Sequence, residues 1–177
     1  WSLTNRPGWL RLSLLPEQLS ERVTPAFIGR RQQHINFAAR ACMEFTPAAS
    51  YDSAGLALVQ NDSFHFRCLC TRAESGDVVI RLEQRAAGEE TCLAEAVLPE
   101  FAGRLYWRVE GHGQAYHFAY ALEPERWNTL ADQVDGRILS TQRAGGFTGA
   151  YIGMYASSSG QASTNHVDFD WFEYYGE

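Results

Sequence analysis

Three carboxylates stand close together near the end of the chain, in Asp168-Phe169-Asp170-Trp171-Phe172-Glu173. Acid pairs hydrolyse glycosides when their carboxyl groups lie about 5–5.5 Å apart for retention or about 6.5–9.5 Å apart for inversion. Strand alternation puts Asp168 and Asp170 on one face, and Glu173 on the other unless a bulge intervenes. The simpler assignment is a rim or edge strand with Val167, Phe169 and Trp171 turned inward and the acids outward. Asp168 and Asp170 have one further use, as ligands that would hold a structural calcium together with loop carbonyls. The histidines at 34, 65, 112, 117 and 166 show no pair at metal spacing, since His112 and His117 have opposite strand parity. Ser157-Ser158-Ser159 lacks a nucleophile elbow. No glycine-rich loop follows a strand and opens a helix to cradle phosphate.

A different kind of site is written into Gly145-Gly-Phe-Thr-Gly-Ala-Tyr-Ile-Gly-Met154. Glycines at 145, 146, 149 and 153 mark backbone that bends, takes positive φ or approaches another backbone closely. Phe147 stands among them on a flexible tip, where no core residue is expected. Phe147, Thr148 and Gly149 are therefore the candidate functional loop. Arg30-Arg31, between Gly29 and a strand, reads either as a solvated turn or as an anchor for carboxylates on a partner surface.

The elements that must carry these residues are strands. Apolar residues alternate through Ile35-Phe45, Phe64-Cys70, Leu105-Val109 and Tyr116-Tyr120 with period two. Turn signals recur every 8–12 residues, among them Asn61-Asp62 and Gly111–Gly113. Trp107 and Trp171 fall on the apolar parity and read as core. The segment 16–23 reads as a polar linker with one helical turn, and 132–145 as a long irregular connection. About ten strands with no helix of three turns predict an all-β fold, an antiparallel β-sandwich of jelly-roll type.

One domain spanning 1–177 is expected, with neither repeats nor a second unit. The net charge of −6 carries both signs scattered, all 15 basic residues being arginine, and no basic stripe that would bind nucleic acid. No apolar run approaches a membrane span of roughly 20 residues. Cys68 and Cys70 share a strand face and cannot form a metal knuckle. With Cys42 and Cys92 they read as small buried hydrophobes, and a cytoplasmic location is expected. The chain opens at Trp1 inside an apparent strand and is expected to be cut from something longer.

Five motifs in order resemble one family: Trp1…Arg6-Pro7-Gly8-Trp9-Leu10-Arg11-Leu12, Gly29-Arg30-Arg31-Gln32, Ala54-Gly55-Leu56, Phe147-Thr148-Gly149-Ala150…Gly153-Met154, and Asp168-Phe169-Asp170-Trp171-Phe172. They look like the C-terminal concanavalin A-like sandwich of glycoside hydrolase family 43 β-xylosidases and α-L-arabinofuranosidases, nearly end to end. The resemblance implies an upstream five-bladed β-propeller that carries the catalytic acids of an inverting hydrolysis, and so no catalytic residue here. It implies that Phe147 closes one side of the propeller's pocket over a xylo-oligosaccharide, and that Arg30 and Arg31 face the interdomain interface. No cofactor is implied, and homo-oligomerisation stays open. Two other readings stand beside it: an independent carbohydrate-binding module, and a stand-alone sandwich glycosidase using Asp168, Asp170 and Glu173.

Overall fold

A computed structural model describes residues 1–176. Twelve strands form two antiparallel sheets. The first sheet contains β1 (Leu10–Ser13), β3 (Phe37–Glu44), β8 (Arg104–His112), β9 (Ala115–Ala121), β10 (Asn128–Asp135) and β12 (His166–Gly176), in the order β1-β12-β3-β8-β9-β10. The second contains β2 (Ala26–Arg31), β4 (Ser53–Asn61), β5 (Phe64–Arg72), β6 (Val78–Ala86), β7 (Glu89–Val97) and β11 (Tyr151–Ser157), in the order β2-β11-β4-β5-β6-β7. Four residues of 3-10 helix (Gly136–Leu139) and the single turn α1 (Thr141–Ala144) join β10 to β11.

The expected alternation builds the core between the sheets. Phe37, Ala39, Ala41 and Met43 of β3, Phe66, Cys68 and Cys70 of β5, and Leu105, Trp107 and Val109 of β8 all point into one buried cluster. Each large side chain removed from water there contributes about 1.5–3 kcal/mol, which is why register is tightly specified on the inner faces.

Several expectations change. The segment after β1 is no free linker. Leu15 and Pro16 accept from the Ser158 and Gly160 amides, Glu17 accepts from Ser157 Oγ, and Leu19 packs on Ala57, Leu69 and Tyr155. This strap covers the outer face of the second sheet, and Leu19 is the apolar residue that binds it there. Residues 128–135, expected to be largely irregular, form the edge strand β10, with register shifts against β9 between Thr129 and Val134. Trp1 lies outside any strand; only Ser2 forms an isolated bridge, to Arg11. Ile35 extends beyond β3 and is 73% exposed. Cys92 sits on the exposed edge strand β7, so three of the four cysteines are buried rather than all.

The last strand holds the largest correction. Phe169 faces Met43 and Trp171 faces Cys42, so Asp170 is an extra residue inserted into β12. The bulge reverses every side chain after it. Val167 and Phe169 enter the core as expected, but Phe172 and Tyr174 continue that role, and Trp171 turns outward to lie near Tyr106, Cys42 and Trp127.

Candidate functional site

The bulge also brings Glu173 to the face of Asp168, the condition the acid string needed. The chemistry nevertheless fails there. Arg11 Nε and Nη2 donate to the two Asp168 oxygens at 2.7 and 2.8 Å, and Arg6 Nη1 adds a bond at 3.1 Å. Burial alone would push the Asp168 carboxyl up. The hydrogen bonds from Arg11 and Arg6 together outweigh it and hold the group below the usual carboxylate range. Glu44 pairs with Arg6 at 2.7 Å and Arg104 at 3.0 Å, and Asp170 lies 3.9 Å from Arg104. Glu173 is five residues further along β12, roughly 15 Å at strand rise, and accepts from Tyr175 Oη. At that separation Asp168 and Glu173 exceed both spacings required for glycoside hydrolysis. Asp168, the first calcium candidate, already has both oxygens covered by guanidinium groups. Among the described residues, no three His, Cys, Asp or Glu side chains converge as ligands.

His112 and His117 do share a face, contrary to their parity, because a hairpin joins their strands and Glu110 pairs with His117. Their rings lie 5.4 Å apart, and His117 Nδ1 meets Asp132. Parity counts only within one strand.

The second sandwich end is built differently. Gly145, Gly146 and Gly149 have φ of 72°, 79° and 73°, the left-handed region that favours glycine. They carry the chain round a tip on which Phe147 is fully exposed, at 103% of its reference area. The root of the loop is fixed: Gln60 Nε2 donates to the Gly145 carbonyl at 3.1 Å and Asn61 Nδ2 to that of Ala144 at 2.9 Å. Beneath it His65 is buried, with Nδ1 against the Asn61 carbonyl at 3.2 Å. Burial pushes the His65 imidazole down to about 4. On the far side of the tip, Gly153 meets Gly29 across β11 and β2, where an added Cβ would lie 2.2 Å from the Ile28 carbonyl oxygen. The loop is thus an exposed tip on a hydrogen-bonded base.

Arg30 and Arg31 end β2 as strand residues, not as a turn. Arg31 pairs with Tyr151, donates to its Oη at 3.0 Å and lies 5.4 Å from its ring. Arg30 covers the Tyr174 ring at 4.2 Å and donates to Gln33 Oε1 at 2.5 Å. Tyr174 Oη in turn accepts from the Gln33 and His34 amides. Beside these residues runs a groove of about 430 Å³, lined by Gln32, His34, Ile35, Thr141, Gln142 and Gly149 among others. Sequence periodicity gave no sign of this groove, since its walls come from three separate connections, β2–β3, β8–β9 and β10–β11.

Apart from Trp1, which is 78% exposed, the tryptophans offer no open sugar platform. Trp107 is core. Trp9 is covered by Arg6 at 3.6 Å, and Trp127 by Arg108 at 4.7 Å. Trp171 packs on Tyr106.

Comparison with known proteins shows the family to which this fold belongs. The profile of the β-xylosidase C-terminal concanavalin A-like domain matches residues 1–175. A non-reducing-end α-L-arabinofuranosidase of Bacteroides ovatus is 35% identical over 98% of the chain and 32% of its own length. A β-xylosidase of Bacillus subtilis is 30% identical over 98% of the chain and 33% of its own length. The solved structure of Bacteroides ovatus xyloglucan PUL GH43B superposes with a TM-score of 0.92 at 33% identity, covering all of this chain and 34% of that one. A Bacillus licheniformis GH43 protein gives 0.92 at 26% identity, again over 34% of its length. The chain therefore spans about a third of the relatives it matches.

Proposed function

Because the chain belongs to the family of C-terminal concanavalin A-like domains found in β-xylosidases, we propose that it is the non-catalytic accessory domain of a xylan-degrading exo-glycosidase. It packs against the catalytic β-propeller of that enzyme and closes the substrate pocket with Phe147. Thr148 and Gly149 shape the turn that presents the ring, and Arg30 and Arg31 lie at the interdomain interface. The carrying observation is a fully exposed phenyl on a glycine-hinged tip whose root is bolted to β4. An apolar group left in water costs solvation until a cavity receives it. Seated in a sugar-sized pocket, it excludes water and restricts the pocket to one terminal residue, which favours exo action on short xylo-oligosaccharides. The relatives' names, arabinofuranosidase and xylosidase, support this substrate class. Four free thiols fit the cytoplasmic location expected from the sequence.

The test is kinetic, on the full-length enzyme that contains this chain. Phe147→Ala is expected to lower kcat/KM for xylobiose at least about tenfold, a loss of roughly 1.4 kcal/mol of transition-state stabilisation, with unchanged thermal unfolding. Unaltered kinetics would remove Phe147 from the pocket. Titration of the isolated chain with xylo-oligosaccharides is expected to show no saturation, whereas a binding module would saturate in the micromolar to millimolar range.

A further inference from the structure

Pairing of arginines singles out one end of the molecule. Among the described residues, eleven of the fifteen arginines lie within ion-pair distance of a carboxylate. Arg72 instead donates to the Pro47 and Gly76 carbonyls. The three that remain are Arg30, Arg31 and Arg143, and all three border the Phe147 loop. Arg143 lies on α1, immediately before the hinge glycines, while Arg31 faces Tyr151 where β11 leaves the loop. A chain of net charge −6 has ample carboxylates with which to pair them. Leaving three cations unmatched at one end is an asymmetry that folding does not require.

The setting of these cations indicates what they meet. Arg30 and Arg31 are already ordered by Tyr174, Gln33 and Tyr151, so they would lose little side-chain freedom on pairing. Between and beside them lie exposed apolar groups: Phe147, Ile35 at 73% and Tyr151 at 36%. A polyanion such as duplex nucleic acid is held by a long basic track of phosphate contacts, which three arginines do not supply. An apolar centre with a charged rim is instead the anatomy of a protein interface. Its electrostatic complement is a cavity rimmed by carboxylates. A glycosidase pocket carries at least two acids for its chemistry, and its field draws cations.

We infer that Arg30, Arg31 and Arg143 form a cationic collar that docks on carboxylates around the mouth of the cavity Phe147 enters, in the catalytic part of the same protein. The inference rests on the pocket-closing reading and deepens it by adding Arg143 and assigning the partner its charge. Docking through such pairs depends on salt, because exposed pairs are screened within about 8–10 Å at physiological ionic strength.

The experiment uses the full-length protein with Arg30→Glu, Arg31→Glu and Arg143→Glu combined. Arg126→Glu, at an exposed arginine paired with Glu123, is the control. Small-angle scattering reads compactness, and kcat/KM on a short xylo-oligosaccharide reads closure. Both are followed between about 0.05 and 0.5 M NaCl. The triple variant is expected to be more extended and at least tenfold less active at low salt, the unaltered protein to approach it at high salt, and the control to match the unaltered protein. Retained near-ultraviolet circular dichroism confirms that the sandwich itself is folded. A triple variant as compact and active as the unaltered protein overturns the inference, even if Phe147→Ala remains impaired and pocket closing stands. Loss of heparin binding in the triple variant with no change in compactness or activity overturns it in favour of a polyanion surface. If Phe147→Ala is harmless but the triple variant opens, pocket closing fails while the collar survives.

Discussion

The outer face around Asp168 and the end around Phe147 use the same residue types to opposite effect. At Asp168, Arg6, Arg11 and Arg104 alternate with Asp168, Glu44 and Asp170 in a closed lattice, and the central carboxylate is 4% exposed. At the other end, arginines stack on tyrosines without meeting any described acid, and the central phenyl is wholly in water. A carboxylate saturated by its partners has no valence left for a ligand; it fixes the register of β1 on β12. An unsaturated exposed network keeps its valences open. In the acid string that most resembled catalytic machinery, Asp168 is thus taken up by guanidinium groups, and the loop without a titratable group is the functional candidate.

The sharpest way to break this contrast is Asp168→Ala. Removing one partner of a fully buried ion pair typically costs about 3–5 kcal/mol. Partial exposure of Arg6 and Arg11 places the expectation near the lower limit. For a domain of this size that is a fall of roughly 6–12 °C in Tm, read by calorimetry. A full-length Asp168→Asn enzyme that stays stable yet loses turnover would put the acid back into chemistry.

Acid titration comes next. His65, beneath the loop root, is held neutral with its pKa near 4, against about 6.5 unfolded. As pH falls, the unfolded chain takes up the proton first. His65 therefore costs nothing above pH 6.5, and stability drains between 6.5 and 4 by up to about 3 kcal/mol. His65→Asn is expected to remove that slope, while losses from Asp168 and Glu44, whose pKa values are lowered, begin at more acid pH. Identical denaturant midpoints for both proteins across pH 6.5–4 would show that His65 does not brace the loop.

The smallest effect belongs to Phe147 in the isolated chain. Phe147→Ala removes an exposed ring with no intramolecular packing and should change stability by less than about 0.5 kcal/mol. A larger loss in chemical denaturation would mean the ring packs on its own domain.

Much of this was legible residue by residue. Period-two alternation placed Phe37 through Met43, Phe66 through Cys70 and Leu105 through Val109 on the inner faces. The glycines at 145, 146, 149 and 153 announced backbone that bends, takes positive φ or approaches closely; the structure gives the first three positive φ and Gly153 the close approach. Both are properties of a single strand or turn, set by the pleat and by the missing Cβ, so a linear reading reaches them. The order of five motifs carried the family and hence the expectation of a longer enzyme.

The tertiary structure alone decided the rest. The extra residue at Asp170 can be placed only against β3, and it moved Trp171 out and Glu173 round to the face of Asp168. His112 and His117 became neighbours only through hairpin register. Leu19 turned a polar stretch into a strap because Tyr155 and Leu69 supply its socket. Whether each arginine meets an acid depends on residues as much as 162 positions away, as Arg6 and Asp168 are. Local sequence fixes which way a side chain points from its own backbone; pairing between strands distant in sequence fixes what it meets.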